Sequence, residues 1–131
     1  MRVFLDANVL FSASNVGSNV ASLIALLCER QTAVACNLAI EEARKNVALK
    51  RPAWRPGFDE LLKRVDILPS ILFELQIQLD RKDAPLLCAA IRGRCSHFVT
   101  GDKRDFGHLY GQVVQGVEVI SLLRLAKLLT V

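Results

Sequence analysis

The chain has no C-x-x-C pair, no apolar run long enough to span a bilayer, and few aromatic or histidine residues. Each absence excludes something. Cys28, Cys36, Cys88 and Cys95 lie far apart among Leu, Ala and Ile, which argues against a zinc site or a dithiol redox motif. Four free, buried thiols acting as small apolar residues are expected instead. A membrane helix needs roughly 18 to 20 apolar residues, and Glu29, Arg30 and Gln31 close the longest run well short of that. Met1-Arg2 leads straight into a strand-like run and an acid, with neither a signal h-region nor a cleavage site, so a cytoplasmic protein without membrane association is expected.

The chemistry of side-chain nucleophiles is also missing, since no Ser/His/Asp or Cys/His arrangement can be assembled. His97 begins an apolar strand and His108 follows Gly107 in a loop, and both read as structural. There is no internal repeat and no low-complexity segment.

What is present is apolar material spread along the whole length. At 131 residues with 52% hydrophobic content, one domain spanning 1–131 can build its core without disulfides or a structural metal. The net charge of +4 comes in short basic groups: Arg44-Lys45, Lys50-Arg51 with Arg55, Arg81-Lys82, Arg92 with Arg94, and Lys103-Arg104. Such a surface suits a polyanion held through counterion release, or is simply a solvated basic face.

Strands are predicted at Arg2–Leu5, Thr32–Cys36, Val65–Leu68, His97–Thr100 and Val117–Ile120. Helices are predicted between them. Ser18 caps one over Asn19–Arg30 that is apolar nearly all round, and Asn37 caps one from Leu38 to about Lys50. Arg51-Pro-Ala-Trp-Arg-Pro-Gly57 reads as a loop, followed by a short helix through Leu61 and Leu62. A helix is expected around Ser70–Leu79, another from Asp83-Ala-Pro to a stop at Gly93, and a last one capped by Ser121 with Leu122, Leu125, Ala126 and Leu129 on one stripe. This alternation gives an α/β protein with a parallel sheet, right-handed crossovers and helices on both faces. Ligands of such sheets bind beyond the carboxyl ends of the strands, where strand order reverses.

Two acids stand at such ends, Asp6 after the first strand and Asp102 after the fourth. If those strands are neighbours the carboxylates face each other, and a shared divalent cation relieves their repulsion. Turn or N-cap roles are the plainer alternative for each. Helical phase places Ala39, Ile40, Ala43 and Val47 on the apolar side, Glu42 at its border and Glu41 opposite, so Glu42 is the one able to enter a cleft while Glu41 pairs with Lys45. Asp83 caps its helix or meets a metal, and Asp105 is a supporting ligand or a loop acid. Trp54, between Arg51 and Arg55, stacks on an unpaired base, covers the core or meets another chain.

Four stretches taken in order, Asp6-Ala-Asn-Val, Glu41-Glu-Ala-Arg-Lys-Asn-Val, Lys82-Asp-Ala-Pro-Leu-Leu-Cys-Ala-Ala and Val99-Thr-Gly-Asp-Lys-Arg-Asp-Phe, resemble the PIN domain. The resemblance runs from Arg2 to the last helix. It implies a three-layer α/β/α sandwich with a five-stranded parallel sheet. It also implies a metal site of Asp6, Glu42, Asp83 and Asp102, with Asp105 as a fifth acid and Asn8 and Thr100 orienting the carboxylates. Oxygen ligands suit Mg²⁺ or Mn²⁺, as used in hydrolysis of RNA phosphodiesters.

Among PIN proteins the short ones include VapC-like ribonucleases, toxins of type II toxin–antitoxin systems. An antitoxin partner and an RNA substrate are implied by this resemblance. The family and the all-round apolar Asn19–Arg30 helix together point to a homodimer. The rival expectations are a PIN-like RNA- or protein-binding module with little or no cleavage, and a haloacid-dehalogenase-like phosphatase. The latter wants an aspartate two residues after its nucleophile, where this chain has Asn8. A phosphoacceptor signalling domain would want further acids beside Asp6 and a lysine late in the sheet, for which Lys103 is poorly placed.

Overall fold

The computed structural model describes residues 1–130. Strand β1 (Arg2–Leu5) runs into α1 (Ala7–Ala13) and α2 (Asn19–Arg30), then β2 (Thr32–Cys36), α3 (Asn37–Lys50), α4 (Arg55–Leu62) and β3 (Asp66–Leu68). After a long extended segment come α5 (Ala84–Arg92), β4 (His97–Val99), α6 (Lys103–Phe106), the short β5 (Val113–Val114), β6 (Val117–Ile120) and α7 (Leu122–Leu129).

The sheet has six strands in the order β3-β2-β1-β4-β6-β5. Its first five in that order are mutually parallel and are the five predicted from the sequence. The expected five-stranded sheet is therefore corrected to six by β5, which pairs antiparallel with β6. Gln115 and Gly116 both adopt positive φ, 48° and 94°, which is what a two-residue hairpin turn between twisted strands requires.

Strand order reverses between β1 and β4. Connections β1 to β2 and β2 to β3 step one way, while β3 to β4 and β4 to β6 step the other. Right-handed crossovers then put α1 to α4 on one face and α5 and α6 on the opposite one, the α/β/α sandwich. On the first face α1 packs against α2, α3 and α4, and α7 returns to α2.

Val3, Phe4 and Leu5 are wholly buried, as expected of a central strand covered on both sides. Phe98 stacks on Phe4 at 5.3 Å, and Leu87, Ile120 and Leu125 complete a continuous core. Burying each such side chain contributes roughly 1.5 to 3 kcal/mol. All four cysteines are free, and three of them, Cys36, Cys88 and Cys95, are buried.

Caps behave as predicted at Ser18 and Ser121, whose hydroxyls accept from Ala21 N and Arg124 N, both at 3.1 Å. Elsewhere the structure corrects the sequence. Asn37 does not cap α3 but forms its first residue, and its Oδ1 accepts from Ser70 N at 2.8 Å. The predicted loop over 51–57 is a single 3₁₀ turn, Pro52–Trp54, running into α4, because both prolines fall in first turns where no N–H is needed. Gly57 sits where α4 crosses α1 so closely that a Cβ would lie 2.2 Å from the Ser14 carbonyl oxygen.

The largest correction concerns Ser70–Leu79, which is neither helix nor strand but largely extended chain with a bend at Gln76 and Ile77. From Ile71 its burial alternates strictly. Ile71, Phe73, Leu75, Ile77 and Leu79 are half-buried, while Leu72, Glu74, Gln76, Gln78 and Asp80 are exposed. That period of two is the mark of extended chain, not of a helix.

Candidate metal centre

Because β1 pairs with β4, Leu5 lies opposite Val99 and the two chains leave the sheet together, with Asp6 N donating to Val99 O at 3.1 Å. Asp6 is only 3% exposed. Its Oδ1 accepts from Ala7 N at 2.7 Å, which starts α1. Its Oδ2 accepts from Thr100 Oγ1 at 2.8 Å and from Asn8 Nδ2 at 3.0 Å. Burial raises the carboxyl's pKa against the opposing pull of those three donors, and the neighbouring charge of Glu42 adds to the rise. One oxygen of the side chain thus caps α1 while the other is held by Thr100 and Asn8.

Thr100 and Asn8 tie the two strand ends together. The Thr100 hydroxyl also accepts from Asp102 N at 3.0 Å, and Asn8 Oδ1 accepts from Gly101 N at 2.8 Å. A Cβ at Gly101 would stand 3.3 Å from Asn8 Oδ1, so a side chain there would press on this brace. Tyr110 OH donates to Thr100 O at 2.8 Å, which adds a support that no sequence signal identified.

Asp102 accepts from Asp105 N through Oδ1 at 3.1 Å and so opens α6, which carries Asp105 toward α5. Asp83 stands at the start of α5, but its side chain caps nothing. It is 6% exposed, and Oδ2 has no hydrogen-bond partner. Burial first, then the facing Asp105 and the charge of Asp6, lift its pKa to about 7, while Lys82 opposes the rise. An orphaned, buried carboxylate oxygen among acids is what the donor set of a divalent cation looks like when only the protein is considered.

Asp80, Asp83 and Asp105 place carboxylate oxygens all within 4.8 Å of one another, the one such group of three or more acids, histidines or cysteines among the described residues. Asp6, Glu42 and Asp102 stand outside that tight group. Asp80 was not anticipated. The available signal was its position three residues before Asp83, which becomes meaningful only once the intervening turn is known.

Glu42 is exposed on α3 and contributes a repulsive charge to Asp6. Glu41 pairs with Arg44 and not with Lys45 as expected. Trp54 is half-buried against Phe11 at 5.0 Å, with the Arg51 guanidinium 5.7 Å from its ring, which fits the core-covering role. His97 opens β4, at the end of that strand away from the carboxylates, with Nδ1 2.8 Å from Ser96 Oγ. His108 is exposed.

The PIN domain family model matches residues 2–104, and the chain belongs to the PIN domain family. Solved structures agree on the fold. A chain of the VapBC2 crystal structure from Rickettsia felis, bound to a DNA fragment from their promoter, superposes with a TM-score of 0.66 at 16% identity, covering 92% of this chain and 98% of that one. A PilT N-terminus domain protein from the hyperthermophilic archaeon Sulfolobus solfataricus P2 gives a TM-score of 0.59 at 15% identity, covering 98% and 93%. No match was found among curated proteins. Family membership replaces the phosphatase and phosphoacceptor expectations.

Proposed function

We propose that this chain, acting over residues 1–131 as one PIN unit, is a metal-dependent ribonuclease that hydrolyses RNA phosphodiester bonds. The carrying observation is the buried Asp83 Oδ2, without a donor, in a group of carboxylates at the point of strand-order reversal. Asp6, Glu42, Asp83 and Asp102 are the proposed site acids, with Asp105 beside them. Mg²⁺ or Mn²⁺ suits an all-oxygen set, and such an ion would lower the pKa of a bound water so that hydroxide is available to attack phosphorus, and would supply charge to stabilise the leaving oxygen.

The chain's own residues then have definable tasks. Thr100 and Asn8 hold Oδ2 of Asp6 at a fixed orientation, so that the carboxylate enters the site without losing rotamer freedom on binding. Asp102 and Asp105 are fixed relative to each other by the α6 cap. Arg81, Lys103 and Arg104 are exposed, make no ion pair among the described residues, and offer positive charge to the phosphate backbone on the rim of an acidic centre.

The likeness to a VapBC2 chain supports a toxin role with an antitoxin partner. A homodimer is proposed with it, because Val20, Leu23 and Leu26 of α2 remain half-buried in the isolated chain. A cytoplasmic location belongs to the same proposal. Among the described residues no helix is long and apolar enough to cross a membrane.

The test is cleavage of single-stranded and hairpin RNA by wild type, Asp6→Asn and Asp102→Asn, with Mg²⁺, with Mn²⁺ and with EDTA. Cleavage by wild type alone, abolished by EDTA, is expected. Activity that survives EDTA or both substitutions would sink the mechanism. RNA binding without cleavage under either ion would favour the binding module.

A further inference from the structure

We infer that Asp80 is a further ligand of the ion held by Asp83 and Asp105, and that through it metal binding fastens the extended Ser70–Leu79 segment to the site. The inference rests on the proposed metal centre and extends it to a residue outside the four-acid set.

Asp80 reaches the site through the turn that precedes α5. Its carbonyl accepts from Asp83 N at 3.0 Å and from Ala84 N at 2.9 Å, which closes a helical turn. Residues three apart on such a turn project from the same side, so the Asp80 and Asp83 carboxylates must lie next to each other. Asp105 approaches from α6 to complete the group within 4.8 Å. One cation contacts this group directly. Lys82 Nζ lies 3.9 Å from Asp105 Oδ2, while Asp83 Oδ2 receives no donor at all. Three carboxylates with one loosely placed ammonium leave a net negative pocket whose deepest oxygen is unsatisfied, and an oxygen-seeking divalent cation fits it.

The segment that ends at Asp80 is weakly held without such an ion. Among the described residues, no backbone group of Ser70–Leu79 pairs with another backbone group. Its polar anchors are Ser70 N on Asn37 Oδ1, Phe73 O accepting from Cys88 Sγ at 3.5 Å, and Gln76 N on Gln115 Oε1 at 3.0 Å. Few backbone bonds and half-exposed apolar residues mark chain that opens locally at low free-energy cost. A ligand at its carboxyl end adds an anchor only when the metal is bound.

The experiment combines Mn²⁺ titration by calorimetry with hydrogen exchange of the Ser70 and Gln76 amides, the two in the segment that have an acceptor, on wild type, Asp80→Asn, Asp80→Glu and Asp83→Asn. Asparagine keeps the acceptor that Arg81 N uses at 2.9 Å on Asp80 Oδ1, so the substitution removes charge and not the turn. Expected is Mn²⁺ binding by wild type with slowed exchange at those two amides. Asp80→Asn should bind about tenfold more weakly and lose that slowing, with partial recovery in Asp80→Glu. Wild-type affinity and protection in Asp80→Asn, while Asp83→Asn loses binding, would overturn the role of Asp80 and leave the metal centre standing. No Mn²⁺ binding by wild type at millimolar concentration would overturn both.

Discussion

The ring of Phe106 lies 5.0 Å from that of Phe98, centroid to centroid, and joins the four-residue helix α6 to the middle of the sheet. Phe106 is wholly buried and directly follows Asp105, so the position of that carboxylate depends on an apolar contact. Phe106→Ala is expected to cost about 3 to 5 kcal/mol in urea denaturation. It should also weaken Mn²⁺ binding about tenfold, because an acid without its support no longer holds its geometry. A variant with full metal affinity would show that α6 is positioned by the Asp102 cap alone.

Thr100→Val removes the donor to Asp6 Oδ2 and the acceptor of Asp102 N while nearly keeping the volume. Both groups are then left short of a partner in a buried place, at a cost of about 1 to 3 kcal/mol. RNA cleavage per folded molecule should fall by about ten- to a hundredfold, and Thr100→Ser should keep most of it. Equal rates for valine and serine would mean that Asn8 alone orients Asp6.

Stability without metal should fall as pH rises. Asp83 has a folded pKa of about 7 against an ordinary value near 3.9, so the folded chain binds its proton more tightly than the unfolded one. Its contribution is complete below about pH 4 and is lost on the way to about pH 7. Burial acts in the same direction on Asp6. In EDTA, the Tm of wild type is expected to decline over that window more steeply than that of Asp83→Asn, whose amide carries no charge and can donate to Asp105. Parallel curves would remove Asp83 as the cause. Millimolar Mn²⁺ should flatten the wild-type decline, since an ion bound to the folded state alone stabilises it by about 2.7 kcal/mol at a hundred times its Kd.

Replacing Lys103 and Arg104 together by Gln should weaken RNA binding by a similar factor on unrelated sequences. The slope of log affinity against log salt should drop by roughly one to two, as for two lost phosphate contacts on a single strand. An unchanged slope would place the RNA path elsewhere on the surface.

Much of this architecture is legible from the residues. Strands β1, β2, β4 and β6 are compact β-rich runs, and α2 and α7 announce themselves through serine caps and apolar periodicity. Helix α1 is not legible, because the residue that starts it, Asp6, looks like a site acid and is an N-cap at the same time. The Ser70–Leu79 segment misleads because its composition suits a buried element of either kind, and only its alternation, with no partner strand to pair it, reveals the extended form. Asp83 shows the reverse situation. A helix-starting aspartate is ordinarily a cap, and only the folded arrangement reveals that this one caps nothing. Asp80 lies in a turn whose closure brings it within reach of Asp105, a proximity that depends on two other elements already being in place.

The adjacency of β1 and β4 has a consequence during synthesis. Asp6 finds its hydroxyl partner 94 residues later, so a ribosome must have released most of the chain before the two halves of the centre can meet. An aborted product or a fragment clipped ahead of β4 carries only part of the acidic set, and is expected to be inert toward RNA whatever ion is supplied.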